Sequence, residues 1–297
     1  MFKCGFITIV GNPNVGKSTL LNAIMGQKIS IVSPKAQTTR NTVKGILTTE
    51  NYQMIFMDTP GQHKVKSGLD EYMSKSIRQA AIDVDVIVVV LDGLKRITEE
   101  DIKLVESYKG ASHNLIVAVN KIDETTFERL YPQLDKLNKL DYVKDIVCVS
   151  AMKNQNVQEL LKVIEKLLPE GEKMYPDDMI TEHSERFMVG EIIREKALML
   201  LNEEIPHGIA TVIESFKDEE KIIKIDALII CERESHKGII IGKSGEMLKN
   251  IASIARKDIE KLLDKQVFLQ IFVKIRPDWR NNSVQLSEAG YDKKDLL

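Results

Sequence analysis

The chain has 297 residues, of which 43% are apolar and 29% charged, and its net charge at pH 7 is −2. This composition is close to the globular average, which excludes wholesale disorder, and the balanced charge argues against a protein that is basic over its whole surface. The length predicts about two domains, and three widely spaced cysteines without a C-x-x-C motif argue against a zinc ribbon and indicate a reducing compartment.

The chain alternates short β-branched runs with helical periods up to about residue 168. Most of the runs are apolar on both faces, as in parallel strands covered by helices. They lie at Phe6–Val10, Met54–Met57, Val86–Leu91, Leu115–Val119 and Ile146–Val149. Helices are predicted at about 17–26, 69–82, 99–108, 127–139 and 156–168. One more strand, Thr42–Thr49, should pair antiparallel with the next run. The pattern predicts an α/β, doubly wound fold with a mostly parallel sheet.

A second, smaller α+β domain is predicted after a change of composition at 169–184, where prolines and charged residues indicate a linker. Ser184 is a candidate cap for the helix that follows it. The later elements are strands at Ile209–Phe216 and Ile222–Cys231, a glycine-bearing loop at 238–245, a helix at about 246–263 and a strand at Val267–Lys274. The polar tail from Pro277 is expected to be loosely attached.

The segment after the first strand has the spacing G-x-x-x-x-G-K-S and opens a predicted helix, which is the context that a phosphate-binding loop requires. Its glycines let backbone N–H groups surround a phosphate at the positive end of the helix. Lys17 is expected to reach the β- and γ-phosphates, and the Ser18 hydroxyl to bind Mg²⁺. The alternative is a glycine turn that caps a helix. The predicted nucleotide-binding residues here are Gly11, Asn12, Pro13, Asn14, Val15, Gly16, Lys17, Ser18 and Thr19.

A D-x-x-G motif, Asp58-Thr59-Pro60-Gly61, follows the strand that ends at Met57. An aspartate at the carboxyl end of a strand beside a phosphate loop can hold Mg²⁺ through water. The Gly61 N–H can meet the γ-phosphate, so this loop would sense that phosphate. Alone the motif also occurs in ordinary turns, but its position after a phosphate loop favours the nucleotide site.

An N-K-x-D motif, Asn120-Lys121-Ile122-Asp123, follows the strand Leu115–Val119. The Asp123 carboxylate can accept two hydrogen bonds from guanine N1–H and its 2-amino group, which adenine cannot supply. Asn120 is expected to fix the loop, and Lys121 to lay its stem over the base. Ser150-Ala151, after the strand Ile146–Val149, can offer a backbone N–H to guanine O6. The alternative for N-K-x-D alone is a helix cap.

The four motifs in this order resemble those of the translation-factor-related GTPases, and Lys35-Ala36-Gln37-Thr38-Thr39-Arg40 resembles switch I of the Era group among them. The resemblance implies that a threonine of this segment closes over Mg²⁺ and the γ-phosphate. Thr39 is favoured, with Thr38 second and Thr42 a weaker alternative. Together with the motifs, this gives a predicted metal-binding set of Ser18, Thr39 and Asp58 and a predicted catalytic set of Lys17, Thr39, Gly61 and Gln62.

Gln62 departs from this group, which more often has an apolar residue there. Ras-like enzymes use a glutamine at this position to orient the attacking water, so Gln62 is a candidate for that role, with a solvated switch residue as the alternative. Asn14 resembles the asparagine with which some relatives help to bind K⁺, a further candidate cofactor. Arg40 and Arg78 are candidate cationic helpers, with exposed, solvated positions the favoured interpretation.

A G-x-x-G motif in the second domain has apolar residues on both sides and resembles the nucleotide-clamping loop of a KH domain. The surrounding stretch, 237–261, carries six cations and three anions. A solvated helix face of mixed charge is the alternative. The predicted RNA-binding residues are Lys237, Ile241, Gly242, Lys243, Ser244, Gly245, Lys249 and Arg256.

The resemblance covers roughly residues 3–293 and implies a G domain at 1–168, a linker at 169–184, a type II KH domain at 185–276 and a tail at 277–297. It implies a GTPase that uses GTP/GDP and Mg²⁺ and binds the 3′ end of small-subunit (16S) rRNA in maturation of the 30S subunit. The expected protein is a cytoplasmic monomer, with peripheral association at the inner face of the membrane as a further expectation. The rivals are a metabolic P-loop kinase, an RNA-binding module with a vestigial nucleotide site, and a membrane-attached GTPase.

Overall fold

The computed structural model describes residues 1–62, 64–110 and 114–292, and the chain divides into two compact units. The first unit comprises Met1–Val32, Thr39–His63 and Met73–Glu182. The second comprises His183–Leu297 together with two short segments from earlier in the chain, Ser33–Thr38 and Lys64–Tyr72. The chain therefore passes between the units more than once before residue 73.

The first unit is built on a six-stranded sheet in the order β2-β3-β1-β4-β5-β6, with only β2 antiparallel to its neighbour among these strands. The predicted doubly wound α/β fold is confirmed. Long β-branched runs form these strands because both faces of the central ones are buried, so each position needs an apolar side chain. The strands are β1 (Lys3–Val10), β2 (Val43–Thr48), β3 (Tyr52–Asp58), β4 (Val86–Asp92), β5 (Leu115–Asn120) and β6 (Val143–Cys148).

Helices connect these strands, and their ends follow local sequence signals. At the start of α3, Thr98 and Asp101 form a reciprocal capping box, which satisfies two backbone N–H groups that a helix leaves unpaired. The first helix begins after Gly16 and ends at Gly26, both in the left-handed conformation that glycine adopts without strain. The five helices are α1 (Lys17–Met25), α2 (Gly68–Gln79), α3 (Glu99–Glu106), α4 (Phe127–Asn138) and α5 (Val157–Leu167).

The predicted linker lies along the first unit. The Gln53 side chain accepts hydrogen bonds from the N–H groups of Met174 and Tyr175, at 2.7 and 2.9 Å, and donates to the Tyr175 carbonyl at 2.9 Å. Ile46 N donates to the Ile180 carbonyl at 2.8 Å. These bonds use polar backbone groups of a segment that has no regular structure of its own.

The second unit contains a three-stranded sheet in the order β7-β8-β9, with β8 antiparallel to β7 and parallel to β9. The inward-facing isoleucines of β8 pack with apolar positions of the helices in one buried cluster. The loop predicted at 238–245 begins too early, because residues 238–241 are the last turn of helix α7. The elements are α6 (Glu185–Leu200), β7 (Ala210–Asp218), β8 (Ile222–Cys231), α7 (Glu234–Ile241), α8 (Glu246–Leu263), β9 (Gln266–Ile275) and α9 (Ser283–Glu288).

The C-terminal segment is packed, so the expectation of a loosely attached tail is wrong for the residues described there. Trp279 is completely buried, and its indole N–H donates to the Gly208 carbonyl at 3.0 Å. Leu286 and Tyr291 are also buried, and the Tyr291 ring lies 5.8 Å from the Tyr72 ring. Residues 293–297 of the predicted tail lie outside the described residues.

Candidate functional site

The phosphate-loop motif lies between β1 and α1, as its sequence context predicts. Gly16 has a φ of +97°, and a Cβ there would come within 2.3 Å of Asn120 Nδ2. A side chain at position 16 would therefore be strained in its backbone and would collide with the last residue of β5. The loop keeps its backbone closely packed at the start of the helix, where N–H groups can face an anion.

Lys17 is buried inside this loop. Its ammonium group donates to the carbonyls of Gly11 and Asn12, at 3.1 Å each. Burial lowers the pKa of Lys17 to about 8, and the negative charge of Asp58 opposes that shift. An ammonium group with so little hydration is strongly attracted by phosphate oxygens, because there is little water around it to displace.

Three of the predicted metal-binding side chains meet at the end of β3. Ser18 Oγ lies 2.6 Å from Asp58 Oδ2 and 2.8 Å from Thr39 Oγ1. Burial raises the pKa of Asp58, while the charge of Lys17 and hydrogen bonds from Ser18, Ser30 and Thr39 lower it. Among the described residues, Asp58 Oδ1 is buried with no hydrogen-bond partner. Two hydroxyls and a carboxylate with a spare oxygen are the hard ligands that Mg²⁺ prefers, directly or through water.

The other threonines proposed for this role lie elsewhere. Thr38 Oγ1 donates to the Lys35 carbonyl at 2.6 Å and so closes a local turn of the second unit. Thr42 is half-buried just before β2. The expectation that both arginines are exposed is wrong for Arg40, which is buried, whereas Arg78 is exposed on α2.

The D-x-x-G loop packs directly on the phosphate loop. A Cβ at Gly61 would lie 3.0 Å from Pro13 Cα, a tight contact, so glycine lets this backbone lie closest to the phosphate loop, where its N–H can approach a terminal phosphate. Thr59 fixes the start of the loop, because its buried hydroxyl donates to the Ile9 carbonyl at 3.0 Å. Gln62 is exposed, and its Nε2 donates to the Tyr108 hydroxyl at 3.2 Å.

Asn120 joins three of the predicted motifs. Its Nδ2 donates to the Val15 carbonyl at 2.9 Å, and its Oδ1 accepts from the Ala151 N–H at 3.0 Å. Lys121 reaches back to the phosphate loop, where its Nζ donates to the Asn14 carbonyl at 2.8 Å. Asp123 is exposed in a short 3₁₀ turn, Ile122–Glu124, and presents its carboxylate outward.

The backbone N–H groups of the Ser150-Ala151 motif already have acceptors. Ser150 N donates to the Gln155 carbonyl at 3.0 Å, and Ala151 N donates to Asn120 Oδ1. A contact from this motif to guanine O6 stays a prediction, and it requires one of these N–H groups to share its hydrogen bond.

Three polar residues around the site were missed by the sequence analysis. Ser30 Oγ donates to Asp58 Oδ2 at 3.0 Å, Asp101 Oδ1 accepts from Asn12 Nδ2 at 3.1 Å, and Asp92 Oδ2 accepts from Lys121 Nζ at 2.8 Å. Asp92 ends β4 at the sheet edge that carries the motifs, a position that could have identified it. Asp101 belongs to the capping box that begins α3, but no sequence pattern places Asp101 or Ser30 beside the nucleotide site.

The G-x-x-G motif connects α7 to α8 in the second unit. Gly242 has a φ of +74°, and a Cβ there would lie 2.6 Å from the Met247 Cβ, so the turn admits only glycine at this point. Lys243 and Ser244 are exposed at the tip, Gly245 is the N-cap of α8, and Ile241 is half-buried at the end of α7. Lys249 and Arg256 are exposed on α8, and Lys237 is half-buried on α7. The geometry combines a close-packed backbone turn with cations on both flanking helices.

No metal-binding group of three or more His, Cys, Asp or Glu side chains occurs among the described residues. Within that same part of the chain, no helix has both the length and the apolar character needed to cross a bilayer.

Two family models match the chain, one for each of these sites. The model described as a 50S ribosome-binding GTPase matches residues 6–121, and the model of the KH domain matches residues 204–280. The first match includes the phosphate loop and the first two residues of the N-K-x-D motif, and the second includes the G-x-x-G turn.

The chain is similar along its whole length to curated relatives and to solved structures. GTPase Era of Clostridium acetobutylicum is 51% identical, with 98% of each chain covered, and GTPase Era of Clostridium tetani is 49% identical, with 98% of this chain and 99% of the relative covered. A crystal structure of Era in complex with MgGDPNP and nucleotides 1506–1542 of 16S ribosomal RNA superposes with a TM-score of 0.94, at 40% identity over 98% of this chain and 100% of that chain. A variant of Aquifex aeolicus Era bound to GDP·AlF4⁻ gives the same TM-score, identity and coverage. The resemblance stated from the motifs is therefore confirmed, and the chain belongs to the Era family of GTPases.

Proposed function

We propose that this chain is a GTP-hydrolysing switch whose KH unit binds single-stranded RNA, namely the 3′ end of small-subunit rRNA, during maturation of the 30S subunit. The proposal rests on the hydrogen bonds of the Asn120 side-chain amide. This amide joins the phosphate loop to the loops of the predicted guanine-recognition motifs, which include the exposed Asp123. The relative solved with MgGDPNP and nucleotides 1506–1542 of 16S rRNA supports the same ligands here.

The hydrolytic reaction is in-line attack of water on the γ-phosphate of GTP, which yields GDP and phosphate. Lys17 neutralises charge on the β- and γ-phosphates, and the Gly61 N–H donates to a γ-phosphate oxygen. Ser18 and Thr39 would hold Mg²⁺ through their hydroxyls and Asp58 would hold it through water, consistent with their 2.6–2.8 Å cluster. Bound Mg²⁺ would supply further positive charge where negative charge develops on the phosphates.

Two further roles extend this mechanism. Gln62 is proposed to orient the attacking water, which requires its amide to leave the Tyr108 hydroxyl. Gln62→Leu should then lower the rate of GTP turnover by at least about tenfold, and an unchanged rate would refute the role.

Asn14 is proposed to help bind K⁺, and equal turnover in K⁺ and Na⁺ buffers would refute that role.

Base specificity is the sharpest test of the nucleotide assignment. Xanthine has an oxygen where guanine has its 2-amino group, so Asp123→Asn replaces an acceptor with a donor that suits xanthine. The variant should lose at least about a hundredfold in GTP affinity and should prefer XTP. Asp135→Asn is the matched control, because Asp135 is an exposed carboxylate of α4 in an ion pair with Lys139. Equal competition by ATP and GTP in the wild type would favour a metabolic kinase instead.

The RNA assignment rests on the turn at Gly242 and on the cations around it. Lys243→Ala should weaken binding of a labelled single strand that matches a small-subunit rRNA 3′ end. It should also reduce the dependence of log K on log[salt] by about 0.7, the value of one phosphate contact on single-stranded nucleic acid. Lys221→Ala, which removes an exposed cation beside the turn between β7 and β8, should leave both quantities unchanged.

A measurement of GTP turnover in the presence of RNA separates the proposal from a pure RNA-binding module with a vestigial nucleotide site. That rival predicts RNA binding without detectable GTP turnover, even when RNA is present. The intact Lys17, Ser18 and Asp58 cluster opposes it. A monomeric state and peripheral attachment to a membrane remain predictions from the resemblance.

A further inference from the structure

The helix α6 carries three consecutive charged residues that are buried. Arg194, Glu195 and Lys196 are 0%, 2% and 6% exposed. A buried charge costs several kcal/mol unless it is paired and hydrogen-bonded, so each of these groups needs a partner that offsets the cost of its burial. Lys196 has two such partners, because its ammonium group lies 2.7 Å from a Glu195 oxygen and 2.5 Å from an Asp258 oxygen on α8.

The Arg194 guanidinium group donates hydrogen bonds both to a carboxylate and to a backbone carbonyl. Its Nε lies 2.8 Å from Glu191 Oε1 and its Nη2 lies 2.5 Å from Glu191 Oε2, a bidentate pair within the helix. The same Nη2 donates to the Thr38 carbonyl at 2.5 Å. The pair with Glu191 already neutralises the charge, so the bond to Thr38 is an additional contact that holds a piece of backbone far away in the sequence.

The segment that contains Thr38 is fixed to α6 at a second point. The Lys35 ammonium group donates to the carbonyl of Leu201, the residue that caps the end of α6. Arg194 and Leu201 are seven residues apart, which is about two helical turns or about 10 Å along the axis. Residues 33–38 are accordingly grouped with the second unit, whereas Thr39 belongs to the first.

Thr39 follows Thr38 by one peptide bond, and its hydroxyl lies 2.8 Å from Ser18 Oγ in the predicted Mg²⁺ cluster. Because the peptide group is planar, fixing the Thr38 carbonyl also fixes the direction in which the chain enters Thr39. We propose that Arg194 is a positioning residue for Thr39, so that closure of switch I over Mg²⁺ and the γ-phosphate depends on a buried side chain of α6. This inference rests on the proposed role of Thr39.

Arginine suits this role better than lysine does. Its rigid fork can bind a carboxylate with two groups and still direct an N–H at a carbonyl, whereas a lysine ammonium is a point charge on a flexible stem. Arg194→Lys should therefore restore only part of the function that Arg194→Met removes.

The test compares nucleotide affinities of the full-length chain in the presence of Mg²⁺. Arg194→Met should weaken binding of a non-hydrolysable GTP analogue by about tenfold and leave GDP binding within about twofold, because only the γ-phosphate state uses Thr39. Lys196→Met is the matched control, since it removes the other buried cation of α6, whose ion pairs among the described residues are with Glu195 and Asp258, and it should weaken neither ligand selectively. Equal losses for the analogue and GDP, or no loss, in a folded Arg194→Met protein would overturn the inference.

Two more variants keep the test decisive. If Arg194→Met does not fold, Lys35→Met removes the second anchor from a half-buried position, and it should shift the ratio of analogue to GDP affinity in the same direction. An unchanged ratio in that variant would count against the inference. Thr39→Ala must also weaken the analogue selectively. If it does not, the proposed role of Thr39 fails, whereas a selective effect of Thr39→Ala without one of Arg194→Met removes the inference alone.

Discussion

Lys17 shows how a single residue can be prepared for its ligand. Its ammonium group is buried among carbonyls, and burial lowers its pKa to about 8. Phosphate groups bind the Lys17 amine well only when the amine is charged. A bound nucleotide therefore raises the pKa of Lys17 again. The unliganded protein must then take up a proton on binding nucleotide whenever the pH exceeds about 8.

The affinity for GDP should therefore be level near pH 7 and about tenfold weaker at about pH 9, where about one molecule in ten still carries the charged Lys17. Equilibrium binding of a fluorescent GDP over this range measures it. The titration of Lys17 cannot weaken GDP binding by unfolding the protein. Because its folded-state pKa lies below the unfolded value, the folded chain binds fewer protons between about pH 8 and pH 10, and this contribution to the free energy of unfolding rises with pH. An affinity that stays level to pH 9 would contradict the prediction.

At the scale of the element, buried strands were the most predictable part of the fold. The runs at Val86–Leu91 and Leu115–Val119 fall within β4 and β5 because both faces of those strands are buried and every position needs an apolar residue. The last turn of α7 is predicted as loop because Gly238 and the isoleucines after it do not show helical periodicity, although Ile240 is buried within the helix. The packing of the tail could not be predicted because its buried residues, Trp279, Leu286 and Tyr291, are separated in the sequence by mostly polar residues.

The candidate site also contains some residues that sequence patterns identify and others that they do not. Motifs at strand ends identified the phosphate and base loops, since parallel strands bring their carboxyl ends to one edge. The sequence could not reveal Ser30, because its contact with Asp58 joins residues 28 positions apart and follows no spacing rule. Nor could spacing show that Arg40 is buried or that Arg194 holds Thr38, because both facts depend on tertiary packing.

The two glycines of the G-x-x-G turn allow a prediction about the element itself. Both have positive φ, but a Cβ at Gly242 would meet the Met247 Cβ at 2.6 Å, whereas a Cβ at Gly245 has nothing within 4 Å. Gly245→Ala should cost only the left-handed conformation, about 1–2 kcal/mol of unfolding free energy. Gly242→Ala adds a clash against the start of α8 and should cost about 1–3 kcal/mol more and weaken RNA binding strongly. Denaturant unfolding and RNA titration of the two variants measure the difference, and equal losses would show that sterics at Gly242 do not define the turn.

At the scale of the whole molecule, the two units join a nucleotide site to an RNA site within one chain, and switch segments of the first site are grouped with the second unit. The state of the nucleotide can affect RNA binding only if the two nucleotide states differ in their free energy of interaction with RNA. Loss of the γ-phosphate would release Thr39 and, with it, the ordered course of residues 33–38. The peptide bond between Thr38 and Thr39 is therefore the point at which the nucleotide state can affect the second unit.

RNA should therefore bind more tightly to the complex with a non-hydrolysable GTP analogue than to the complex with GDP, by about tenfold or about 1.4 kcal/mol. Linkage demands the reciprocal effect, so saturating RNA must raise the affinity for the analogue over GDP by the same factor. Anisotropy of a labelled RNA 3′ end measures the first quantity, and nucleotide competition with RNA present measures the second. Equal RNA affinity in the two nucleotide states would remove the coupling while leaving both binding sites in place, and unequal factors from the two experiments would mean that they do not report on one equilibrium.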